Sequence, residues 1–385
     1  MRFRHLTGNA LAFACLATLC AVVAPTTATA AQRPNTLWPA APLASATTTE
    51  EGAWALVAMG HLHDPLNTFW QVLFLGSHSS HWVVVTPPGV ADNGGLVVAP
   101  TGSGDALVGF ETSQNLTFSP LALTPDSGAT WVPGLLNAPL ATSPDSLAYR
   151  PGSSAAPGRA LALSGSTVLG TGPTFESWSR LASLRSLRFA DPECRPARLA
   201  AVALGPGSTP LVALDCSRNG GLALVAQRSG QWRAAGLRLA NQQPGVVLRL
   251  FVDGDLTTVL GGADRGAHQG LVAAWEANGR WVASPFQALP RGATLDSTAV
   301  GPAGSILVVV RLRGRAMLFS LTGPHSNWVQ LARLPPQCST AAIEPTGAID
   351  AFAVHGGRLD VFSLAADHWV HRQTTTIAIA YGSSN

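Results

Sequence analysis

Arginine carries most of the binding chemistry that this sequence offers. All 24 basic residues are arginine, and several stand beside aspartate or histidine in polar segments between apolar runs. The planar guanidinium group suits carboxylates and sulfates, so these segments predict a site for an anionic glycan, with solvated loop charges as the alternative. The candidate ligand-binding residues are Asp215, Arg218, Asp264, Arg265, His268, Arg311, Arg313, Arg315 and Arg358.

A weak metal motif stands near the start of the chain. His61, His63 and Asp64 are close in sequence, and a spacing of two residues places both imidazoles on one side of an extended segment. Spacing specifies no further ligand, and scattered surface histidines are the alternative interpretation. We therefore expect no metal and no cofactor.

The sequence carries no catalytic motif. The lack of lysine excludes Schiff-base chemistry and the phosphate-binding P-loop. No Ser/His/Asp order, carboxylate pair or glycine-rich phosphate loop stands out. Catalytic residues are therefore unknown, and we expect a binding protein, with glycoside hydrolysis as the reaction that stays open.

Three cysteines remain once a predicted leader is removed. Cys194 and Cys216 flank a predicted hairpin, and theirs is the pairing we favour among three, which leaves Cys338 unpaired. Cys338 is interpreted either as an inert buried residue or as a thiol nucleophile, and no histidine nearby in sequence supports the second interpretation.

The first thirty residues are predicted to be a signal peptide. Arg2 and Arg4 precede an apolar run at 10–24 that is short for a membrane span, and small residues at 28–30 offer a cleavage site. We expect a secreted, periplasmic or cell-envelope protein without a membrane span after cleavage; an uncleaved anchor or a lipoprotein is the alternative. The net charge of +3 argues against a nucleic-acid partner, and we expect a monomer.

A tryptophan recurs near the end of each of seven units. The intervals of 41 to 54 residues are typical of β-propeller blades. The seven residues are Trp82, Trp131, Trp178, Trp232, Trp281, Trp328 and Trp369. Runs of valine, leucine and alanine bounded by glycine, asparagine and proline indicate four strands in each unit. Packing between blades explains the tryptophans better than sugar stacking does.

The sequence thus predicts an all-β fold, a seven-bladed β-propeller of four-stranded antiparallel blades. We expect residues 31–51 to be a flexible segment and residues 52–385 to form a single domain. The first unit is one strand short. The apolar segment from Thr376 to Tyr381 is predicted to complete it as a C-terminal closing strand.

One turn carries a family resemblance. Residues 124–131 match the Asp-box and resemble the turns of sialidase-like (BNR) propellers. The resemblance implies that Thr124, Asp126 and Gly128 shape a hairpin between the third and fourth strands of a blade. It also implies that Asp126 caps backbone N–H groups, that Trp131 packs inward, and that the turn lies away from any active site.

The last unit is similar to tectonin-like seven-bladed lectins through segments 347–352 and 358–362. Neither resemblance fixes an activity. Sialidases need an arginine triad and a tyrosine nucleophile, whereas this chain has only Tyr149 and Tyr381 and no Arg-Ile-Pro motif after the leader.

Our leading hypothesis is an exported, non-catalytic bacterial propeller that binds a glycan or an envelope protein. A sialidase-like glycoside hydrolase is one alternative, and it would need two carboxyl groups in a deep pocket. A factor that assembles protein complexes is the other, and it would present a broad apolar patch.

Overall fold

The computed structural model describes twelve stretches of the chain, and every structural statement concerns them: 44–60, 68–87, 96–110, 121–133, 144–152, 158–172, 174–175, 177–217, 221–239, 243–265, 268–355 and 357–377. They belong to one compact unit, Leu37–Asn385. The predicted leader, the motif of His61, His63 and Asp64, and the candidate Arg218 lie outside the described residues.

The described chain is almost entirely β-structure, and its strands follow one another as antiparallel meanders of four. The first three meanders are β1 (Ala44–Thr48), β2 (Gly52–Gly60), β3 (Thr68–Gly76) and β4 (Val83–Val84); β5 (Leu96–Pro100), β6 (Ala106–Phe110), β7 (Leu121–Thr124) and β8 (Val132–Pro133); and β9 (Ser146–Arg150), β10 (Arg159–Ser164), β11 (Thr167–Thr171) and β12 (Trp178–Ser183). The helix α1 (Leu184–Leu187) follows.

The fourth meander is β13 (Pro196–Gly205), β14 (Thr209–Cys216), β15 (Leu222–Arg228) and β16 (Gln231–Arg238). The fifth is β17 (Gln243–Asp253), β18 (Leu256–Arg265), β19 (His268–Ala277) and β20 (Arg280–Ala283), with β21 (Gln287–Ala288) also paired to β19. The last two are β22 (Thr294–Val300), β23 (Ile306–Leu312), β24 (Arg315–Leu321) and β25 (Val329–Gln330); and β26 (Cys338–Ile343), β27 (Ile349–His355), β28 (Arg358–Ala365) and β29 (His368–Thr376). The all-β prediction with four-stranded antiparallel units is confirmed.

The first strands of the meanders meet one another. From β5 to β26 each contacts the first strand of the next meander, and β26 contacts β1. This arrangement is that of a β-propeller, whose innermost strands surround a central axis. The hydrogen-bonding pattern divides the described strands into six sheets, because β1 pairs in parallel with β22 and so joins two meanders into one eight-stranded sheet. The count of seven blades therefore stays a prediction.

The first meander obtains its innermost strand from the N-terminal side. Strand β1 pairs antiparallel with β2, with Thr48 opposite Ala53, and all five of its residues are buried. The expectation of a flexible segment at 31–51 is therefore wrong for residues 44–48. The closing strand predicted at the C-terminus is not needed for this meander, and Thr376 instead ends β29, which pairs with β28. Residues 378–381 lie outside the described residues.

Burial explains the sequence pattern of the strands. The second strands are covered on both faces by neighbouring meanders, and β14 and β18 are therefore buried along most of their length. The outermost strand β29 is exposed along much of its length and reads as mixed polar and apolar residues. Tight turns with two positive φ angles, such as Asn278-Gly279, precede the outer strands and match the hairpin twist.

The recurring tryptophans bind across neighbouring meanders. The indole N–H of Trp232 donates to the Leu181 carbonyl at 3.4 Å, that of Trp281 to Ala235 at 2.9 Å, and that of Trp328 to Pro285 at 3.1 Å. In each case the acceptor belongs to the preceding meander or to the segment just after it. These bonds support the structural interpretation of the repeat.

Trp82 makes the same kind of bond between the first and the last meander. Its indole N–H donates to Asp350 Oδ2 at 2.7 Å, and its backbone exchanges hydrogen bonds of 2.9 and 2.7 Å with the Gln373 side chain. Arg372 binds both Asp350, at 3.0 Å, and Glu344. We call Trp82, Glu344, Asp350, Arg372 and Gln373 the closure cluster, because they join the two ends of the described chain.

Candidate functional site

The turns after second strands and the connections after fourth strands lie at one end of the meanders, because consecutive strands alternate in direction. We call this end the loop face. Ligand-binding residues concentrate on such loops when a rigid scaffold positions them. The sequence-predicted candidates that belong to the described residues lie on or beside this face, and so does the pocket described next.

The loop that connects the third and fourth meanders is held by a helix cap, by backbone hydrogen bonds and by a disulfide. Ser183 and Ser186 form a capping box at the start of α1. Asp191 Oδ1 accepts hydrogen bonds from the backbone N–H groups of Glu193 and Cys194, both at 3.2 Å. Cys194 is bonded to Cys216, the pairing that the sequence favours. The disulfide fixes the end of this loop to β14, so the loop is held rigid from both sides.

A pocket of about 290 Å³ lies beside this loop, between the third and fourth meanders. Its lining residues are Asp145, Gly165, Ser166, Leu184, Ala197, Arg198, Leu199 and Ala200. Asp145 Oδ2 accepts the backbone N–H of Gly165 at 2.7 Å, and Oδ1 has no hydrogen-bond partner among the described residues. The residues that line the pocket therefore include a carboxylate, an arginine and a hydroxyl.

Arg198 is held at this pocket by Asp215. Its Nε donates to Asp215 Oδ2 at 2.7 Å, and Asp215 Oδ1 accepts the backbone N–H of Val247 at 2.8 Å. Burial raises the pKa of Asp215, while Arg198 and the Val247 N–H favour its ionised form. The Arg198 side chain is 47% exposed, and its two terminal amino groups have no partner among the described residues. Asp215 thus positions Arg198 and leaves the outer edge of the guanidinium open.

Phe189 projects from the same loop. It is 84% exposed, the largest exposure among the large apolar side chains of the described chain. Leu187, two residues earlier, is fully buried, and the Ala190 carbonyl accepts the Ala234 N–H at 3.1 Å. An aromatic ring is therefore presented to solvent on a backbone anchored on either side.

The sequence-predicted arginines are spread over the loop face rather than gathered in one pocket. Arg265 and His268 face each other across the β18–β19 turn, beside Asp264. Arg311 pairs with Asp296 at 2.6 Å and donates to the Cys338 carbonyl at 3.2 Å. The remaining candidates stand in or beside exposed turns: Arg313, Arg315 and Arg358. None of these lines the pocket, and of the predicted set only Asp215 acts there, indirectly.

Three residues of the pocket were not found by sequence reasoning. Asp145, Ser166 and Arg198 are separated by 21 and 32 residues and come from different strands and turns. Asp145 and Arg198 stand at the starts of first strands, and Ser166 follows a second strand. These are positions on the loop face, and this placement is the one signal in the sequence that could have indicated them.

Histidines and cysteine give no metal or thiol site in the described chain. Asp360 lies 3.5 Å from both His355 and His371, yet no group of three or more ligands with metal-binding geometry occurs among the described residues. Burial raises the pKa of Cys338 to about 12, which suits the inert interpretation. No helix among the described residues has the length and apolarity of a membrane span.

The turn at residues 124–131, which matches the Asp-box in sequence, lies at the opposite end from the loop face, between β7 and β8. Asp126 accepts the Thr130 N–H at 2.8 Å and the Thr130 hydroxyl at 2.6 Å, and these bonds lower the pKa of Asp126. Thr124 accepts the Gly128 N–H at 2.8 Å. Gly128 has a φ of 89°, which a side chain would strain. Trp131 is partly buried against the core.

No protein-family model matches the chain, and no curated protein matches it. Among solved structures, the chain is similar to a proposed 6-phosphogluconolactonase of Bacteroides fragilis, with 11% identity, 86% of this chain, 96% of that chain and a TM-score of 0.49. It is also similar to a protein from Lactobacillus plantarum, with 10% identity, 85% and 96% coverage and a TM-score of 0.48. A GH74 enzyme of Niastella koreensis matches with 10% identity, 86% and 65% coverage and a TM-score of 0.41. Similarity this distant assigns no function.

Proposed function

We propose that this chain is an exported seven-bladed β-propeller that binds an acidic glycan, without catalysis, in the pocket beside Arg198. The observation that carries the proposal is that the Asp145 carboxylate and Arg198, whose guanidinium keeps a free outer edge, line the same preformed pocket. A carboxylate or sulfate of the sugar would take the guanidinium, and sugar hydroxyls would donate to Asp145.

The rigidity of the pocket supports binding. Its loop is fixed by the Cys194–Cys216 disulfide and by the capping box of α1. A preformed site avoids the entropy cost of ordering loops when a flexible ligand binds. The exposed ring of Phe189 offers an apolar face on which a sugar could stack.

The cyclic bonding of the tryptophans supports seven blades. Trp82 bonds to the last meander as Trp232, Trp281 and Trp328 bond to the one before them. Four of the seven recurring tryptophans thus link one meander to another, and Trp82 links the first to the last. The Asp126 turn has the hydrogen bonds that the Asp-box resemblance implies, which supports a relation to that group. The disulfide suits an oxidising compartment, which supports export.

Hydrolysis is the weaker proposal, because it needs a second carboxyl group. Glycosidases use two carboxylates about 5 to 10 Å apart. Among the described residues that line the pocket, Asp145 is the one carboxylate, and the adjacent Asp215 is bound to Arg198.

A glycan array with the purified chain tests the proposal. We expect binding to glycans with uronate, sialate or sulfate groups and not to their neutral counterparts. Arg198→Ala should weaken binding about 10- to 100-fold, the range for a lost charged hydrogen bond, and Arg198→Lys should restore it only in part. The exposed Arg280→Ala is the matched control. Equal binding of neutral glycans, or an Arg198→Ala variant with unchanged affinity, would contradict the proposal.

A further inference from the structure

A second guanidinium lies near the propeller axis, far in sequence from the pocket residues. Arg249 belongs to β17, the first strand of the fifth meander. Its Nη2 donates to Thr47 Oγ1 of β1 at 2.7 Å, so the side chain spans from the fifth meander to the first. Strand β1 is itself hydrogen-bonded to β22. Arg249 therefore links the first strand of the fifth meander to that of the first meander.

Arg249 has no carboxylate partner among the described residues. Its one hydrogen bond to them is to Thr47, and burial alone lowers the pKa of the guanidinium to about 10. Asp253, four residues along the strand, has a pKa raised by burial and by Glu50, with no contribution from Arg249. Arg249 keeps part of its surface exposed, so an anion can reach it from solvent, and a partly buried cation without a counter-charge attracts an anion more strongly than a fully solvated one.

The donors around Arg249 match an anion. Thr47 is buried, and because its oxygen accepts from Arg249, its own hydroxyl hydrogen stays available to donate. Arg249 directly follows a register shift in the pairing of β17. Ser297 and Thr340 directly follow the corresponding shifts in β22 and β26, so the three residues are equivalent in their meanders. Both hydroxyls are buried and have no hydrogen-bond partner among the described residues. The residue after the register shift is thus polar in three neighbouring meanders. Arg249 is the charged residue among the three, and its charge is positive.

We propose that the axis holds a small inorganic monoanion, with chloride as the test case, bound by the Arg249 guanidinium and the Thr47 hydroxyl. The anion supplies the negative charge that the described chain does not. It also ties β17 to β1 and so contributes to ring stability. This site is independent of the glycan pocket, which lies between other meanders.

Thermal unfolding in chloride tests the site, with gluconate replacing chloride at constant ionic strength. The unfolding midpoint of the native chain should rise by about 2 °C for each tenfold increase of chloride above its Kd. Arg249→Gln should abolish this dependence, while the exposed Arg280→Gln should keep it. A chloride-independent midpoint of the native chain, or an unchanged dependence in Arg249→Gln, would overturn the proposal.

Two further measurements cover the case in which Arg249→Gln does not fold. Thr47→Val keeps the shape of the side chain and removes the hydroxyl, so it should weaken the chloride dependence. Crystals of the native chain soaked in bromide should show anomalous density at the Arg249 guanidinium. Density only at surface arginines would refute the site.

Discussion

The closure cluster predicts an unusual dependence of stability on pH. Asp350 is fully buried, beside Glu344, and it accepts hydrogen bonds from Trp82 and from the Ser363 hydroxyl, at 2.7 and 2.5 Å. Burial is the main cause that raises the pKa of Asp350 from 3.8 to about 6, and Glu344 adds to it. Arg372 is shared by the two carboxylates. One positive charge thus faces two acids.

The sign and size follow from linkage. Between about pH 4 and pH 6 the folded state holds a proton that the unfolded chain releases, so the free energy of unfolding falls as pH rises through this window. A shift of about 2 pH units corresponds to about 3 kcal/mol at about 1.4 kcal/mol per unit. The variant Asp350→Asn cannot ionise at this position, and Glu344 keeps its ion pair with Arg372. The variant should therefore gain about 3 kcal/mol relative to the native chain between pH 4 and pH 7.

Urea unfolding of both proteins at intervals from pH 4 to pH 8 measures this difference. The comparison cancels the titration of groups that the two chains share. Asp367→Asn removes an exposed carboxylate from the β28–β29 turn and serves as the control for the substitution itself. Parallel stability curves for the native chain and Asp350→Asn would refute the reasoning, because they would mean that Asp350 titrates alike in the folded and unfolded states.

Three further predictions concern single features. Trp82→Phe should cost about 1 to 3 kcal/mol in urea unfolding because Asp350 loses a donor, whereas Trp369→Phe, whose indole N–H has no partner among the described residues, should cost less. Replacing Cys194 and Cys216 by serine should lower the free energy of unfolding by about 3 kcal/mol and weaken glycan binding. Unchanged binding would show that the disulfide is not needed to hold the loop beside the pocket. Asp126→Ala should lower the urea midpoint by the loss of turn hydrogen bonds and leave glycan affinity unchanged, because its turn lies opposite the loop face; a change in affinity would contradict that separation.

Local chemistry allowed the strands to be predicted, and long-range geometry limited the rest. Glycine turns before several of the tryptophans mark outer hairpins, as Asn278-Gly279 does before Trp281 and Ser229-Gly230 does before Trp232. Strand β1 escaped prediction because Ala-Ser-Ala-Thr-Thr has no large apolar side chain. Small residues suit the crowded first strands, where β1 meets both β22 and β26, but in sequence they resemble a linker.

The candidate site was harder to predict than the fold. The sequence drew attention to clusters of charge, such as Arg311, Arg313 and Arg315, which the structure leaves on a separate part of the loop face. Arg198 stands alone in sequence, and its importance comes from Asp215, 17 residues away, and from a pocket wall contributed by the preceding meander. Contacts of this kind depend on how meanders stack, which spacing along the chain does not encode.

The pairing of β1 with β22 has a consequence for how the chain matures during synthesis. Ala44 lies beside Ser297, so a segment made at the beginning must wait for one made about 250 residues later before its outer edge is covered. Trp82 waits longer still for Asp350. A nascent chain therefore carries an uncapped strand edge until Ser297 is made and an unburied indole until Asp350 is made, and a stop codon before the last meander would damage the first one as well.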